Sequence, residues 1–321
     1  MNIVVFAGGV GGSRLCEGLQ RAVGAESLTV IVNTADDLEL YGLRICPDLD
    51  TMMYALAGLS NPDTGWGIAG DTFHNFAMLE RYGVNPWFRL GDKDLATHLL
   101  RTQMLSQGLT LQEVTAELCR RLGVRARLLP MTNDKVRTVV DTDDGLFDFQ
   151  EYFVKQRYQP EVRNLIYEGA EEAEPLPDAL RAVEVADTII IAPSNLYLSI
   201  DPILALPAMR DAVLNASAPI IAVTPIVGGE AVKGPAAKLM REMGQESSAV
   251  TVACHYAEFL NGFVLDVRDA ELQQRIASMG IGTLVTDTLM VDADARARLA
   301  CEVVNFADRL RPERLGGCTM Q

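Results

Sequence analysis

The sequence predicts an α/β protein in which a parallel β-sheet is flanked by helices. Five apolar, β-rich runs do not alternate with polar residues, as expected of strands that are buried on both faces. These runs cover residues 2–7, 28–33, 188–192, 219–224 and 283–285. The chain has 321 residues, of which 49% are hydrophobic, so its composition allows a large core within one domain.

The first two runs are joined by a segment with helical periodicity. Within residues 13–23, Leu15, Leu19 and Val23 recur at helical spacing and form one apolar face. A strand, a helix and a second strand in this order predict a right-handed β-α-β unit, which is the building block of a parallel sheet.

The middle third of the chain has mainly helical signals. Helices are predicted over residues 95–105 and 111–122, the second with Thr110 and Glu113 as a capping box and Gly123 at its end. Residues 139–149 contain Asp143-Asp144-Gly145, which favours a hairpin turn. We therefore expect a mainly helical insert over about residues 70–160, forming a second lobe of a single domain that spans residues 1–321.

After the insert, the strand runs resume at residue 188, and the last helix is predicted over residues 293–310. Asp292 precedes that helix and has the side chain of a typical N-cap.

Composition limits the kind of partner and the compartment. The net charge of −15 argues against nucleic acid, because phosphate backbones are bound by clustered Lys and Arg. The six cysteines are scattered without metal-ligand spacing, which indicates reduced thiols and a cytoplasmic protein. No apolar run approaches the roughly 20 residues that span a bilayer, so we expect no membrane contact.

Glycines follow the first predicted strand directly. Gly8, Gly9, Gly11 and Gly12 with Ser13 resemble a dinucleotide-binding turn, but Arg14 stands where the third glycine of that motif belongs. Backbone N–H groups at such a turn can approach an anion closely. The run predicts a phosphate site, in which the Ser13 hydroxyl either donates a hydrogen bond to the phosphate or caps the helix. A tight turn that binds no ligand is the alternative.

Two acidic clusters follow the second strand. Asp36-Asp37 and Asp48-Leu49-Asp50 offer carboxylates, the ligand type that Mg²⁺ prefers while it keeps waters or a substrate phosphate. We expect Mg²⁺ as cofactor, with Asp48 and Asp50 as ligands. A solvated acidic loop is the alternative, and an aspartate after a second strand also binds ribose in NAD-dependent enzymes.

Polar loops also follow the later strands. Ser194 and Asn195 come after one run, and Lys233 lies beside a Gly-Pro turn that comes after another. Because ligands bind past the carboxyl ends of parallel strands, we expect these residues to contact a donor phosphate or nucleotide. Trp66 is a candidate for stacking on a planar ring. The three histidines show no ligand spacing and are expected to be structural.

Taken together, these segments resemble the 2-phospho-L-lactate transferase family of coenzyme F420 biosynthesis. The resemblance covers residues 1 to about 240. The matching segments are Gly8-Gly9-Val10-Gly11-Gly12-Ser13, Val32-Asn33-Thr34-Ala35-Asp36-Asp37, Tyr41-Gly42-Leu43, Pro47-Asp48-Leu49-Asp50-Thr51, Gly65-Trp66-Gly67, Gly91-Asp92-Lys93-Asp94-Leu95-Ala96, Pro193-Ser194-Asn195, Thr224-Pro225-Ile226-Val227-Gly228-Gly229 and Val232-Lys233-Gly234-Pro235.

The resemblance implies a Rossmann-like core and a defined reaction. A phospholactyl-type group is transferred from a guanosine diphosphate-linked donor to the ribityl hydroxyl of the deazaflavin Fo, with release of GMP and with Mg²⁺. It further implies a homodimer and contacts to Fo from Asp50 and Lys93. The residues leave open whether Asp50 is a metal ligand or the acceptor of the hydroxyl hydrogen bond.

The chain departs from the family pattern at Leu196 and Asp201, so the donor stays open among phospholactate, phosphoenolpyruvate and phosphoglycerate, each joined to guanosine diphosphate. The alternative function is a sugar-nucleotide-binding regulator similar to the gluconeogenesis-factor family. Its members follow the aspartate pair with Gly-Gly-Ser-Ser, whereas Asp37 precedes Leu38-Glu39-Leu40-Tyr41 here. A nicotinamide dehydrogenase is a weaker alternative, since the third glycine is missing.

Overall fold

A computed structural model describes residues 1–311 of the chain. The C-terminal residues, including Cys318, lie outside the described part. The strands are β1 (Ile3–Ala7), β2 (Leu28–Val32), β3 (Leu38–Leu40), β4 (Leu43–Ile45), β5 (Arg127–Pro130), β6 (Arg137–Thr142), β7 (Gly145–Asp148), β8 (Val162–Glu168), β9 (Thr188–Ile191), β10 (Ile220–Val223), β11 (Ile226–Val227), β12 (Glu230–Ala231), β13 (Gly262–Asp266) and β14 (Gly282–Thr286).

The helices are α1 (Gly9–Val23), α2 (Pro47–Leu56), α3 (His74–Arg81), α4 (Asp92–Ser106), α5 (Leu111–Arg121), α6 (Pro177–Glu184), α7 (Asp201–Leu204), α8 (Pro207–Leu214), α9 (Ala236–Glu242), α10 (Ala249–His255), α11 (Gln273–Ala277) and α12 (Ala293–Leu310). Two single π-helical turns, Glu151–Lys155 and Leu196–Ile200, occur as well.

The described residues form a central seven-stranded sheet in the order β5-β2-β1-β9-β10-β13-β14, with all neighbouring strands parallel. The chain builds outwards from β1 to β5 and then returns to the other side of β1 with β9. The strand order therefore reverses between β1 and β9. In open parallel sheets this reversal opens a crevice at the carboxyl ends of the strands, where ligands bind.

Apolar residues are buried on both faces of the sheet. On one face Leu15 of α1, Leu49 of α2 and Val303 of α12 belong to one buried cluster. On the other face Met209 of α8 and Leu239 of α9 belong to a second cluster. The five runs read from the sequence correspond to β1, β2, β9, β10 and β14, and the predicted α/β class is confirmed.

Two strands of the central sheet were missed by the sequence prediction. β5 begins with Arg127 and ends with Pro130, which is tolerated because β5 is an edge strand. β13 starts with Gly262, where a Cβ would lie 2.6 Å from the Leu310 side chain of α12. Sequence periodicity does not report this close packing.

The segment predicted as a helical insert is only partly helical. Helices α3, α4 and α5 fill its first part, and the predicted capping box of Thr110 and Glu113 is present at α5. After Arg121 the chain enters β5 of the central sheet. It then forms an antiparallel sheet of β7, β6 and β8, in which β6 and β7 make the predicted hairpin.

The last helix begins after Asp292, whose carboxylate accepts a hydrogen bond from the Ala295 N–H at 2.8 Å, as the sequence predicts. Over residues 1–311, none of the helices combines the length and the apolar character that crossing a bilayer requires.

Candidate active site

A cavity of about 490 Å³ lies at the crevice where the strand order reverses. Its walls include the loops after β1, β9 and β10, the first turn of α2, and α4. Residues that are distant in the sequence thus meet in one cavity, as the predicted loops past the strand ends require.

The loop after β1 is joined to the loop after β9 by a reciprocal pair of hydrogen bonds. The Gly8 N–H donates to Ser194 Oγ at 3.2 Å, and Ser194 Oγ donates to the Gly8 carbonyl at 2.8 Å. A Cβ on Gly11 would lie 2.1 Å from the carbonyl oxygen of Pro193. Only glycine permits this approach, so the two loops form a single wall.

The glycine run divides between the cavity and its support. Gly8, Gly9 and Gly11 line the cavity. Gly12 packs behind them, where a Cβ would lie 2.7 Å from Ser194 Oγ. Ser13 is buried, and its hydroxyl donates to the Val10 carbonyl at 3.0 Å. The hydroxyl proton that we expected to contact phosphate is therefore already used in this hydrogen bond.

Two cationic side chains face the turn. Arg14 and Lys233 both line the cavity, and the Lys233 ammonium donates to the Thr64 carbonyl. Partial burial and the neighbouring Arg14 lower the pKa of Lys233. Two like charges held near the N-terminus of α1 make a strong anion site. In the sequence Arg14 stands out only as the residue that replaces a glycine, so its charge was not predicted to matter.

Asn195 offers a donor to the same cavity. Its Oδ1 accepts hydrogen bonds from Tyr197 N at 3.1 Å and Leu198 N at 3.3 Å, which caps the π-helical turn. Its Nδ2 is buried and has no hydrogen-bond partner among residues 1–311. An unpaired amide donor at a cavity wall is costly without a ligand and fits a phosphate or nucleotide acceptor.

Asp48 and Asp36 form a buried carboxylate pair at the base of the glycine turn. Asp48 Oδ1 accepts from Gly9 N at 2.8 Å, and its Oδ2 accepts from Asn33 Nδ2 at 3.1 Å. Burial raises the pKa of Asp48 to about 6. Burial and the nearby Asp48 raise the pKa of Asp36 well above its ordinary value.

This pair has the properties of a cation site. Asp36 Oδ1 is buried and finds no hydrogen-bond partner within residues 1–311, while both carboxylates line the cavity. A divalent ion would satisfy the orphaned oxygen and relieve the repulsion between the two groups. The adjacent Asp37 is engaged elsewhere, in an ion pair with Arg44 at 3.0 Å.

Asp48 and Asp50 are bound by different groups. Side chains two residues apart on a helix do not face each other, and both residues lie in the first turn of α2. Both oxygens of Asp50 accept from the guanidinium of Arg101, one of them from Nη1 at 3.0 Å. The structure therefore does not bring the two predicted metal ligands into one coordination group.

Asp50 belongs to a buried polar cluster with α4. His98 Nδ1 lies 3.6 Å from Asp50 Oδ2, and His98 Nε2 lies 3.4 Å from Asp94 Oδ1. Asp94 also accepts a hydrogen bond from the Tyr54 hydroxyl at 2.6 Å. Asp94, His98 and Arg101 follow an i, i+4, i+7 pattern on one face of α4, a signal that the search for histidine spacing overlooked.

Aromatic rings line another part of the cavity. Trp66 lies there as predicted, with Trp87, Phe88, Phe149 and Phe153 in addition. Phe149 and Phe153 stack at 5.4 Å between ring centroids, and Trp87 and Phe88 meet edge to face at 5.7 Å. This wall suits a planar, polycyclic ligand.

Lys93 lies outside the cavity wall. It is exposed, and its ammonium donates to the Ala69 carbonyl at 3.0 Å. The inward positions of α4 belong instead to Asp94, His98 and Arg101, which are 9%, 1% and 2% exposed.

The two departures from the family pattern lie in or beside the π-helical turn. Leu196 is fully buried, and Asp201 pairs with His255 at 2.8 Å. Neither side chain lines the cavity. Asp201 therefore adds no carboxylate to the described donor site.

Comparison with known proteins gives consistent matches over almost the whole chain. The family model described as 2-phospho-L-lactate transferase CofD matches residues 3–306. A phosphoenolpyruvate transferase of Streptomyces coelicolor is 44% identical over 317 residues, covering 97% of this chain and 99% of the relative. A 2-phospho-L-lactate transferase of Methanococcoides burtonii is 39% identical over 304 residues, covering 95% and 99%.

Solved structures share the fold. A protein of the UPF0052 family from Bacillus halodurans aligns with a TM-score of 0.60 at 17% identity and covers 94% of this chain and 98% of its own. At that identity the similarity concerns the fold alone.

Proposed function

The chain belongs to the 2-phospho-L-lactate transferase family, and we propose that it transfers a phosphoenolpyruvyl-type group from a guanosine diphosphate-linked donor to the ribityl hydroxyl of the deazaflavin Fo, with release of GMP. The observation that carries this proposal is the cavity itself. It joins an anion-binding region of glycines and cations to an aromatic wall, and so fits a diphosphate and a planar ring at once.

The donor end is proposed around the glycine turn. Arg14 and Lys233 would neutralise the diphosphate, while the Gly9 and Gly11 backbone allows its close approach. Asn195 Nδ2 would donate to the phosphate or the nucleotide, since it has no partner within the described chain.

The acceptor end is proposed at the aromatic wall and Asp50. The deazaflavin ring would stack on side chains such as Trp66 and Phe153, and Asp50 would accept the hydrogen bond of the ribityl hydroxyl. The Arg101 guanidinium on Asp50 supports this role over metal ligation, because a cation beside a guanidinium is repelled.

Mg²⁺ is proposed at Asp36 and Asp48 in place of the Asp48 and Asp50 pair. The orphaned Asp36 oxygen and the all-oxygen donor set support this choice. When bound, Mg²⁺ would neutralise charge on the diphosphate.

The transfer requires the hydroxyl and the diphosphate to be positioned, and it does not require a covalent nucleophile of the protein. The hydroxyl oxygen forms a bond to the phosphorus that carries the acid group, the bond from that phosphorus to GMP breaks, and the hydroxyl proton passes to solvent. Cationic clamps and a fixed acceptor are the groups that such a transfer requires.

The choice of phosphoenolpyruvate as acid group has its support in the relatives. The Streptomyces coelicolor relative named for phosphoenolpyruvate is more similar to this chain than the Methanococcoides burtonii relative named for phospholactate, at 44% against 39% identity.

We also keep the cytoplasmic homodimer as a proposal. An apolar cleft of about 240 Å³ beside α3 is lined by residues that include Met78 and Tyr82, and Tyr82 is 78% exposed. A second copy would cover this surface. Light scattering that gives the mass of a monomer at micromolar concentration would refute the dimer.

The test of the function is a transfer assay. Purified protein is mixed with Fo and Mg²⁺, and phosphoenolpyruvate, phospholactate and phosphoglycerate, each joined to GMP through a diphosphate bridge, are offered separately. Products are followed by mass spectrometry. We expect GMP and a mass gain on Fo, fastest with the phosphoenolpyruvyl donor. A different preferred donor would correct the acid group only.

No product from any donor, together with tight sugar-nucleotide binding by a folded protein, would favour the regulatory alternative instead.

A further inference from the structure

The cluster behind Asp50 contains more buried charge than contact with a substrate alone requires. Arg101 is 2% exposed and lies on α4, 51 residues from Asp50 on α2. Besides both Asp50 oxygens, its Nη1 contacts His98 Nδ1 at 3.3 Å and the Arg44 carbonyl at 3.4 Å. The guanidinium thus holds one carboxylate from behind, on the side away from solvent.

The cluster fits a metal poorly, although the ligand atoms of Asp50, Asp94 and His98 lie within 4.8 Å of one another. Both Asp50 oxygens are taken by Arg101, and one Asp94 oxygen is taken by Tyr54. A cation placed there would be repelled by the guanidinium that is bound to the same carboxylate. The arrangement is a buried cluster of ion pairs and hydrogen bonds, in which His98 Nε2 and Arg101 Nε find no hydrogen-bond partner within residues 1–311.

We propose that Arg101 is a positioning residue for the transfer reaction: its two-pronged contact fixes the Asp50 carboxylate at the cavity wall in the orientation that receives the attacking hydroxyl. This inference rests on the proposed function. Arg101 itself touches no substrate, since Asp50 and His98 line the cavity and Arg101 does not.

The physical basis is the geometry of the guanidinium fork. Two parallel N–H groups bind a carboxylate in one plane and remove its rotation, which a single ammonium cannot do. Each carboxylate oxygen keeps a second acceptor site for a ligand. Because a displacement of about 1 Å in a reacting group costs on the order of 100-fold in rate, the orientation of Asp50 has kinetic weight.

The neighbours of Arg101 restrain the network. The Tyr54 hydroxyl donates to Asp94, Asp94 lies beside His98 Nε2, and His98 Nδ1 contacts Arg101. These contacts tie α2 to α4.

The test is a double-mutant cycle in the transfer assay with Arg101→Gln, Asp50→Asn and both changes together. Arg120→Gln serves as matched control, because Arg120 is exposed on α5 and, within residues 1–311, its ion-pair partner is Glu117 alone. Steady-state kcat and the KM of the guanylated donor are measured for each variant, and circular dichroism melts report folding.

If Arg101 acts through Asp50, Arg101→Gln lowers kcat on the order of 100-fold while the donor KM stays within about twofold. The double variant then loses no more than Asp50→Asn alone. Arg101→Lys should recover part of the lost rate, because it restores the charge but not the fork. It also provides the readout if the glutamine variant does not fold.

The inference would be overturned if the fold losses in kcat of the two single variants multiplied in the double variant. It would also be overturned if Arg101→Gln lowered the melting temperature and left kcat unchanged. A wild-type protein that forms no product in the same assay would instead refute the proposed function, so the two failures are distinguishable.

Discussion

At the scale of single residues, the two cations beside the glycine turn lead to a prediction on donor binding. Lys233→Met and Arg14→Gln should each raise the donor KM by about tenfold or more while the KM for Fo changes little, because a charge-assisted phosphate contact contributes about 1.5–3 kcal/mol. Steady-state kinetics with each substrate varied in turn checks this. Lys135→Met, on the loop before β6, is the control for removal of a lysine charge.

A result in which Lys233→Met raises only the KM for Fo would place the lysine at the acceptor end. The sequence predicted Lys233 for the donor, yet it gave no reason to choose Arg14, because that residue was visible only as a break in a glycine pattern. The charge of Arg14, in the second turn of α1, becomes informative once Lys233 is known to lie near it.

The carboxylate pair leads to a prediction on Mg²⁺ and pH. Burial holds the folded-state pKa of Asp48 at about 6, above its ordinary value of 3.8. Below that pH the group is protonated and cannot ligate, so Mg²⁺ affinity should rise as the pH increases from 5 to 7, with proton release on binding. Calorimetric titration checks this, and Asp36→Asn or Asp48→Asn should weaken binding at pH 7 by tenfold or more.

The same pKa shift predicts how the free energy of unfolding changes with pH when no metal is bound. Between pH 3.8 and about 6 the folded state holds a proton on Asp48 that the unfolded chain has released, so this group stabilises the fold less as the pH rises. The free energy of unfolding of Asp48→Asn, relative to wild type, should therefore increase across that window. Urea denaturation at pH 4 and pH 7 measures it; a constant difference would contradict the burial of this charge.

At the scale of elements, two glycines of α1 separate function from stability. A Cβ on Gly11 would meet the Pro193 carbonyl oxygen at the site, whereas a Cβ on Gly18, two turns further along the helix, would lie 2.2 Å from the Arg296 carbonyl oxygen of α12. Both changes overpack a close contact, at a cost of about 1–3 kcal/mol. Gly11→Ala should in addition abolish tight donor binding.

Chemical denaturation and donor titration of both variants test this. If Gly18→Ala loses as much donor affinity as Gly11→Ala, then donor affinity depends on the position of α1 as a whole and not on the contact between the two joined loops.

Five strands of the central sheet and the helices α1, α4, α5 and α12 were predictable from their pattern, because burial on both faces makes a strand uniformly apolar and a capping box marks a helix start. The exceptions have physical reasons. β5 has a proline that an edge position tolerates, and β13 has a glycine that close packing against α12 requires. The segment after Arg121 joins the central sheet through non-local pairing of β5 with β2, which local sequence cannot report.

At the scale of the whole molecule, the parallel sheet could be anticipated from five apolar runs, and the loop residues Ser194 and Lys233 were expected to contact one ligand because both follow strands of that sheet. The directions of the side chains could not be anticipated from the sequence. That Asp48 and Asp50 have separate partners depends on Arg101, which reaches Asp50 from a helix of the middle segment.

The bonds between Gly8 and Ser194 link positions 186 residues apart. During synthesis on the ribosome, the first glycine loop emerges long before its partner, and the nascent chain cannot assemble this pocket until more than half of its length has left the exit tunnel. A truncated product that stops before β9 would contain the glycines and the acidic residues but would lack the loop after β9, which forms the other half of this cavity wall. This wall of the pocket therefore cannot form before the loop after β9 has been synthesised.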